Sequence, residues 1–169
     1  MTPLTDAEKI LARPNSVPWP PVVLLIAIIT GWFLDSMLPS LAGQAMIGHF
    51  PLSKVQPWLG WLLVGLAIAM DIWVLAIFRK HKTHIRPDRP AENLVTSGPF
   101  AYSRNPIYAG NVAIILGLAL VKGSVWYLLL TPLVYLLIRE LAIKREEAHM
   151  AARFGETWTD YAMKVRRWL

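Results

Sequence analysis

No cysteine occurs among the 169 residues. That removes disulfides, thiolate zinc sites and thiol nucleophiles at one stroke. Charge is scarce too: 17% of residues are charged, where soluble domains carry about 25%. The ten glycines include no G-x-G pair, so the dinucleotide-binding fingerprint is missing, as are the P-loop and the G-x-S-x-G elbow. Any nucleotide-like cofactor must therefore bind by another architecture. There is no low-complexity tract and no internal repeat of solenoid length.

What the chain has is apolar sequence. Hydrophobic residues make up 55% of it, and the mean hydropathy is +0.43. Four runs stand out: Val22 to Leu34, Trp58 to Phe78, Ile107 to Val121 and Val125 to about Ile143. A membrane helix needs about 20 residues. The second and fourth runs qualify outright. The first qualifies with Asp35 and Leu38 at its outer end, and the third with Asn105 and Pro106 as its first turn. The first run is not read as a cleaved signal peptide. Lys9 and Arg13 ahead of it are offset by Asp6 and Glu8, and Trp32 and Phe33 are bulky for that role.

The formal net charge of +6 does not point to nucleic acid, because the positive residues flank apolar runs. Lys9 and Arg13 precede the first run. Lys54 alone separates the first from the second, and Lys122 alone the third from the fourth. Arg79, Lys80, Lys82, Arg86, Arg89 and Arg104 lie between the second and third. Arg139, Lys144, Arg145, Arg153, Lys164, Arg166 and Arg167 end the chain. This alternation gives four membrane helices with both termini in the cytoplasm. Polar, non-repetitive sequence collects on that side, in 79–106 and 139–169, so the chemistry is expected there.

The most informative stretch is Leu94 to Gly110. Ser97-Gly98-Pro99 reads as a turn. Asn105-Pro106 reads as N-cap and first helical residue of the third span. The free N–H groups and positive dipole end of that helix favour an anion, and Arg104 adds a planar guanidinium beside them. An isolated arginine on the inner face commonly does no more than touch headgroups; the turn-and-cap setting argues for function. Further on, Glu140 and Lys144 form an i,i+4 pair, which explains Glu140 as surface charge, and Lys144 with Glu147 an i,i+3 pair. For Glu147 the surface and functional readings balance. Glu146 has no Lys or Arg three or four residues away, so its acid needs another explanation. Adjacent helical residues point about 100° apart, so one of these two glutamates is expected to face a pocket and the other water. The fourth helix should run to Phe154-Gly155, and a new helix should start near Thr157 with capping-box-like spacing.

Asp71 lies inside the second run, about 12 Å from Arg79 along the helix. It is either functional, as ionisable residues at depth tend to be, or a protonated or arginine-paired bundle residue. Asp35 is read as interfacial. Glu146 with His149 makes one Glu-x-x-His, where di-iron bundles need two, so no metal is expected. His81 and His84 are read as solvated or headgroup-facing, with His84 a candidate ligand contact.

Taken in order, Leu94 to Gly110, then Glu146-Glu147, Phe154-Gly155, Tyr161, Val165 and Arg167 resemble the isoprenylcysteine carboxyl methyltransferase and phospholipid methyltransferase superfamily, over roughly the second half of the chain. The resemblance implies an all-α polytopic membrane protein with about four transmembrane helices and a cytoplasmic C-terminal helical segment. It implies a single methyltransferase domain over 1–169, with its motif region at 83–169. The implied methyl donor is S-adenosylmethionine, in a cytoplasmic-side pocket closed by the C-terminal segment. The implied acceptor is a lipophilic small molecule or lipidated substrate that enters from the bilayer. By position, Gly98, Pro99, Tyr102, Arg104, Asn105, Pro106 and Tyr108 belong to the first motif, and Glu146 and Glu147 to the paired-glutamate motif. Arg104, Glu146 and Glu147 are the catalytic candidates. The cofactor-binding candidates are Gly98, Pro99, Tyr102, Asn105, Pro106, Tyr108, both glutamates and His84. Arg104 could hold the donor's carboxylate or orient an acceptor carboxylate. Prenylcysteine enzymes resemble Arg-His-Pro where this chain has Arg104-Asn105-Pro106, so Asn105 resembles the bacterial branch and points to a bacterial inner membrane. Two rival readings are a nicotinamide-dependent membrane reductase of related helical fold, against which the paired glutamates and short chain argue, and a non-catalytic lipid-binding protein.

Overall fold

The computed structural model describes residues 19–38, 54–80 and 93–168. His84, His81 and the flanking basic loop lie outside the described residues. Everything regular within them is helical: α1 Trp19–Met37, α2 Gln56–Lys80, a single 3-10 turn Gly98–Ala101, α3 Pro106–Lys122 and α4 Val125–Ile138 follow in order. A π-helical turn, Arg139–Ile143, then leads without interruption into α5, Lys144–Lys164. Three helical stretches are long and apolar enough to cross a membrane: α1, α2 and the continuous Val125–Lys164, while α3 is a shorter apolar helix. The four expected spans are therefore present as helices, α3 with Pro106 as its first residue.

In helices this apolar, neighbours rather than polarity decide which face turns inward. Val23, Ala27 and Gly31, spaced four apart, form the buried stripe of α1. They meet Tyr127, Val134 and Ile138 of α4 and Ile115 and Ala119 of α3 in one core. Leu25, Ile26, Ile29, Trp32 and Phe33 on α1, and Trp58, Leu62, Leu66 and Ile72 on α2, point outward. That apolar exterior suits lipid.

Two close approaches fix the bundle. The first is the crossing of α2 and α3. A Cβ on Gly117 would lie 2.6 Å from Val64 Cγ2 and 2.9 Å from the Gly60 carbonyl, and one on Gly60 would lie 2.6 Å from the Gly117 carbonyl. Backbone thus lies against backbone, as small residues permit between membrane helices. The second is at the far end from Arg104. Gly123 takes a left-handed φ of 61° to end α3, and the Ser124 Oγ accepts from the Tyr127 N–H to start α4. The same hydroxyl donates to Asp35 Oδ1 at 2.6 Å, and Lys122 pairs with Asp35 Oδ2 at 3.5 Å. Asp35 is therefore a tie from α1 to the α3–α4 connection. Tyr127 completes the tie by donating to the Ile28 carbonyl at 2.9 Å.

The last helix departs from expectation in two ways. The π turn at Arg139–Ile143 fits an extra residue into the helix and rotates the stretch beyond it. The expected break at Phe154-Gly155 is present, with Gly155 at φ 52° and ψ −123°, but helix continues on both sides of it in place of a separate capped start near Thr157. Thr159, not Thr157, bonds back there, donating to the Gly155 carbonyl at 3.2 Å.

The α2–α3 crossing carries a direct test. Gly117→Val should lower stability by about 1–3 kcal/mol through overpacking, read as a fall in thermal unfolding midpoint in detergent. Gly65→Ala, where a Cβ would meet nothing within 4 Å, should leave the midpoint level or higher. Equal effects at both positions would refute the crossing.

Candidate functional site

The site is assembled at the N-terminal end of α3. The turn Gly98–Ala101 rests on the end of α2. Gly98 has φ 63°, and a Cβ there would lie 2.9 Å from Ile77 Cγ1. Phe100 stacks on Phe78 with ring centres 5.3 Å apart. The Pro99 carbonyl accepts from the N–H groups of Tyr102 and Ser103, each at 3.1 Å. This folds the chain back and delivers Arg104 to the foot of α3.

Asn105 occupies the N-cap position, but its side chain does not cap the helix. Its Nδ2 donates to the Arg167 carbonyl at 3.0 Å, and its backbone N–H donates to Ser103 Oγ at 3.1 Å. The leading N–H groups of α3 are thus left without the side-chain acceptor that the sequence suggested.

The C-terminal segment supplies the other wall. After α5 ends, Val165 turns extended, at φ −115° and ψ 132°, and the chain runs back past the turn. Arg104 N–H donates to the Arg166 carbonyl at 2.9 Å. Ser103 Oγ approaches the Arg167 carbonyl at 3.5 Å, and Trp168 packs on Tyr135 with ring centres 4.9 Å apart. Tyr161 donates to the Phe100 carbonyl at 2.7 Å. Burial pushes its phenol up to about 12, against the opposing pull of Arg104, so it remains a donor.

Within this frame sit two carboxylates with different company. Glu147 is gripped by two arginines. Arg167 meets it through Nε at 3.0 Å and Nη2 at 2.5 Å, and Arg104 through Nη1 at 3.3 Å. Arg104 also lies over the Trp158 ring, 5.8 Å from its centre. Its Nε is buried and finds no hydrogen-bond acceptor among the described residues. Glu146, past the apolar run that ends at about Ile143, accepts from the Tyr108 hydroxyl at 2.5 Å. Burial pushes its carboxyl up to about 7, with the Tyr108 hydrogen bond opposing and the Glu147 charge adding to the rise.

Of the candidates from sequence, Arg104, Asn105, Pro106, Tyr108, Glu146 and Glu147 converge. Gly98 and Pro99 build the supporting turn. Tyr102 points away and is 70% exposed. Glu140 lies on the surface with Arg139 at 2.9 Å and Lys144 at 2.5 Å, as its i,i+4 spacing predicts. Glu147 does not pair with Lys144 but turns to Arg104 and Arg167, and neither Glu146 nor Glu147 faces open water. Asp71 lies against α3, where a Cβ on Gly110 would be 3.1 Å from Asp71 Oδ1. That oxygen is buried without a hydrogen-bond partner, and no arginine pairs with Asp71 among the described residues. Sequence reasoning missed Ser103, and it missed the roles of Trp158, Tyr161 and Arg167. The last two had stood in the motif pattern as spacing alone.

A family model described as phospholipid methyltransferase matches residues 55–157. The match takes in α2 as well as the motif region, and so extends further toward the N-terminus than the quoted motifs. The cobalt-zinc-cadmium resistance protein CzcN of Cupriavidus metallidurans is 30% identical over 107 residues, which cover 63% of this chain and 45% of that protein. This chain therefore spans less than half the length of that relative. No solved structure matches.

The bidentate contact between Arg167 and Glu147 is testable without any ligand. A double-mutant cycle with Arg167→Ala and Glu147→Gln should give a coupling of about 1–2 kcal/mol in detergent unfolding. It falls at the modest end for a charged pair because Arg167 is two-fifths exposed. Additive effects would mean that the C-terminal segment is not latched through this pair.

Proposed function

The chain belongs to the phospholipid methyltransferase family, and from that premise we propose that it is an S-adenosylmethionine-dependent methyltransferase acting on a lipophilic acceptor at the cytoplasmic face of the membrane. The observation that carries this reading is the meeting of Arg104, Glu147 and Arg167 with the Tyr108–Glu146 pair at the foot of α3. We take 1–169 as one membrane methyltransferase domain.

The residues fit such a donor. It carries a carboxylate, an ammonium, a ribose diol and an adenine. The buried Nε of Arg104 lacks an acceptor, and the foot of α3 lacks a side-chain cap, so an anionic group has donors awaiting it. Arg104 would hold the donor's carboxylate in competition with Glu147. The glutamate oxygens so released suit the ammonium or the diol. Trp158, already beneath a guanidinium, offers a face to a cation or an adenine. Bound there, S-adenosylmethionine supplies an electrophilic methyl group on a positive sulfur. The protein's own task is then to align the acceptor about 3–3.5 Å from that carbon and to exclude water. The C-terminal segment 165–168 covers the loop from one side, and the apolar exterior of α1 and α2 leaves the bilayer as the source of the acceptor.

The donor is tested by binding. Detergent-solubilised protein should bind labelled S-adenosylmethionine and not NADPH. Arg104→Ala should weaken that binding about tenfold or more, since a charged hydrogen bond is worth about 1.5–3 kcal/mol. Arg104→Lys should restore it in part, because an ammonium cannot reproduce the planar fork. If donor affinity survives in Arg104→Ala while turnover collapses, Arg104 orients the acceptor. Binding of NADPH alone would replace this reading by a reductase.

The charge distribution supports an orientation with both termini in the cytoplasm. In this cysteine-free chain, Ser97→Cys and Thr157→Cys should resist an impermeant thiol reagent in sealed cells, and Lys54→Cys should react. Labelling of Ser97→Cys from outside would move the site to the opposite face.

A further inference from the structure

The two glutamates are adjacent in sequence but have unlike partners. Glu147 is committed to two cations. The hydrogen-bond partner of Glu146 is a neutral hydroxyl, that of Tyr108. Both oxygens of Glu147 are thus engaged by guanidinium groups. Glu146 is half-buried, faces a hydroxyl and adjoins a second negative charge, and its carboxyl is pushed up, which makes it the group placed to accept a proton.

We propose that Glu146 takes the proton from the methyl acceptor, and that the acceptor is accordingly a lipophilic nucleophile bearing a proton, a thiol or an amine, rather than a carboxylate. This rests on the methyltransferase reading above. The lone pair of the acceptor sulfur or nitrogen forms the new bond to the methyl carbon. The bond from that carbon to the donor's sulfonium breaks, and its electron pair stays on sulfur, which leaves as a neutral thioether. The acceptor's proton passes to Glu146, which becomes a carboxylic acid. For a thiol, the charges of the sulfonium and of Glu146 cancel, and every product is neutral. A carboxylate acceptor already brings the negative charge and has no proton to lose, so it gives Glu146 nothing to do.

The groups around Glu146 suit this role. Tyr108 comes from α3. Glu147 adjoins it on α5, with Arg104 from the preceding turn and Arg167 from the C-terminal segment both engaged there. His149 is buried one helical turn further on. The carboxyl, pushed up to about 7, is close to the range where a general base works best near neutrality.

The test begins without donor or acceptor. In the unliganded 169-residue protein, the infrared carbonyl band of a protonated carboxyl should titrate with a midpoint near 7. It should be missing in Glu146→Gln and shift to higher pH in Tyr108→Phe, where the opposing hydrogen bond is lost. The second arm is single-turnover transfer from S-adenosylmethionine to farnesyl thiol, a long-chain primary amine and a long-chain carboxylate. The thiol or the amine should be methylated, with a rate that rises with pH through that midpoint. Glu146→Gln should cut this rate about a hundredfold or more while donor affinity by calorimetry stays within about threefold. In Tyr108→Phe the pH limb should move with the infrared midpoint. Donor affinity lost along with turnover in Glu146→Gln would make Glu146 a donor ligand and overturn the proposal. So would undiminished turnover in that variant, or transfer to the carboxylate alone. A wild-type protein that neither binds nor uses the donor would instead sink the methyltransferase reading itself.

Discussion

The structure turns on one carboxylate. Glu147 is held at once by Arg104, from the turn before α3, and by Arg167, from the segment after α5. The three residues belong to segments far apart in sequence, and no apolar contact could join them with the same directionality. Its side chain is 14% exposed, so the pair is partly withdrawn from water, where breaking one partner leaves a stranded charge. The backbone follows the ion pairs. Arg104 N–H and Asn105 Nδ2 take the carbonyls of Arg166 and Arg167, and those bonds depend on the C-terminal segment lying where Glu147 holds it.

The bundle exists, in effect, to bring that carboxylate to the foot of α3. Helix α3 lies against α2 through Gly60 and Gly117 and against α1 and α4 through Ile115 and Ala119, so its axis is held from both sides. The chain then has to reach the same point from α4. The π turn at Arg139–Ile143 stands just ahead of Glu146 and Glu147. Within it Glu140 lies on the surface while Ala142 and Ile143 are buried, and the helix beyond it is rotated. Single π turns recur at functional positions for this reason: they re-aim side chains without ending the helix.

The sequence was informative wherever local chemistry decides. Hydropathy located all four apolar helices, because a chain this apolar has few other ways to satisfy its backbone. The i,i+4 spacing of Glu140 and Lys144 told their pairing, and Gly155 marked a backbone break. Sequence failed where the partner is distant. Lys144 lay at the right spacing for Glu147, yet Arg167, twenty residues on, is the residue that binds it, because spacing along a helix says nothing about a segment that folds back. Asn105 stands at the N-cap position, but its Nδ2 donates to a carbonyl of the C-terminal segment, and its side chain makes no capping bond to the helix N–H groups. The tie made by Asp35 could not be read from sequence because Ser124, its partner, is 89 positions away. The π turn left no mark in composition or period.

The contrast between the two glutamates arises from the same geometry. Neighbours on a helix diverge by about 100°, and an open surface helix would have shown one of them to water. Here the helix is enclosed on two sides. One direction looks to α3, where Tyr108 is the residue met. The other looks to the segment that returns after α5, where arginines are met. Enclosure therefore turns a local repetition, two identical acids in sequence, into two chemical environments: one carboxylate neutralised by cations and one left with a hydroxyl and its own neighbour's charge. Environments that push like groups apart are how a fold obtains different roles from one residue type. In this chain the separation is produced by where the C-terminal segment lands and not by the identity of either glutamate.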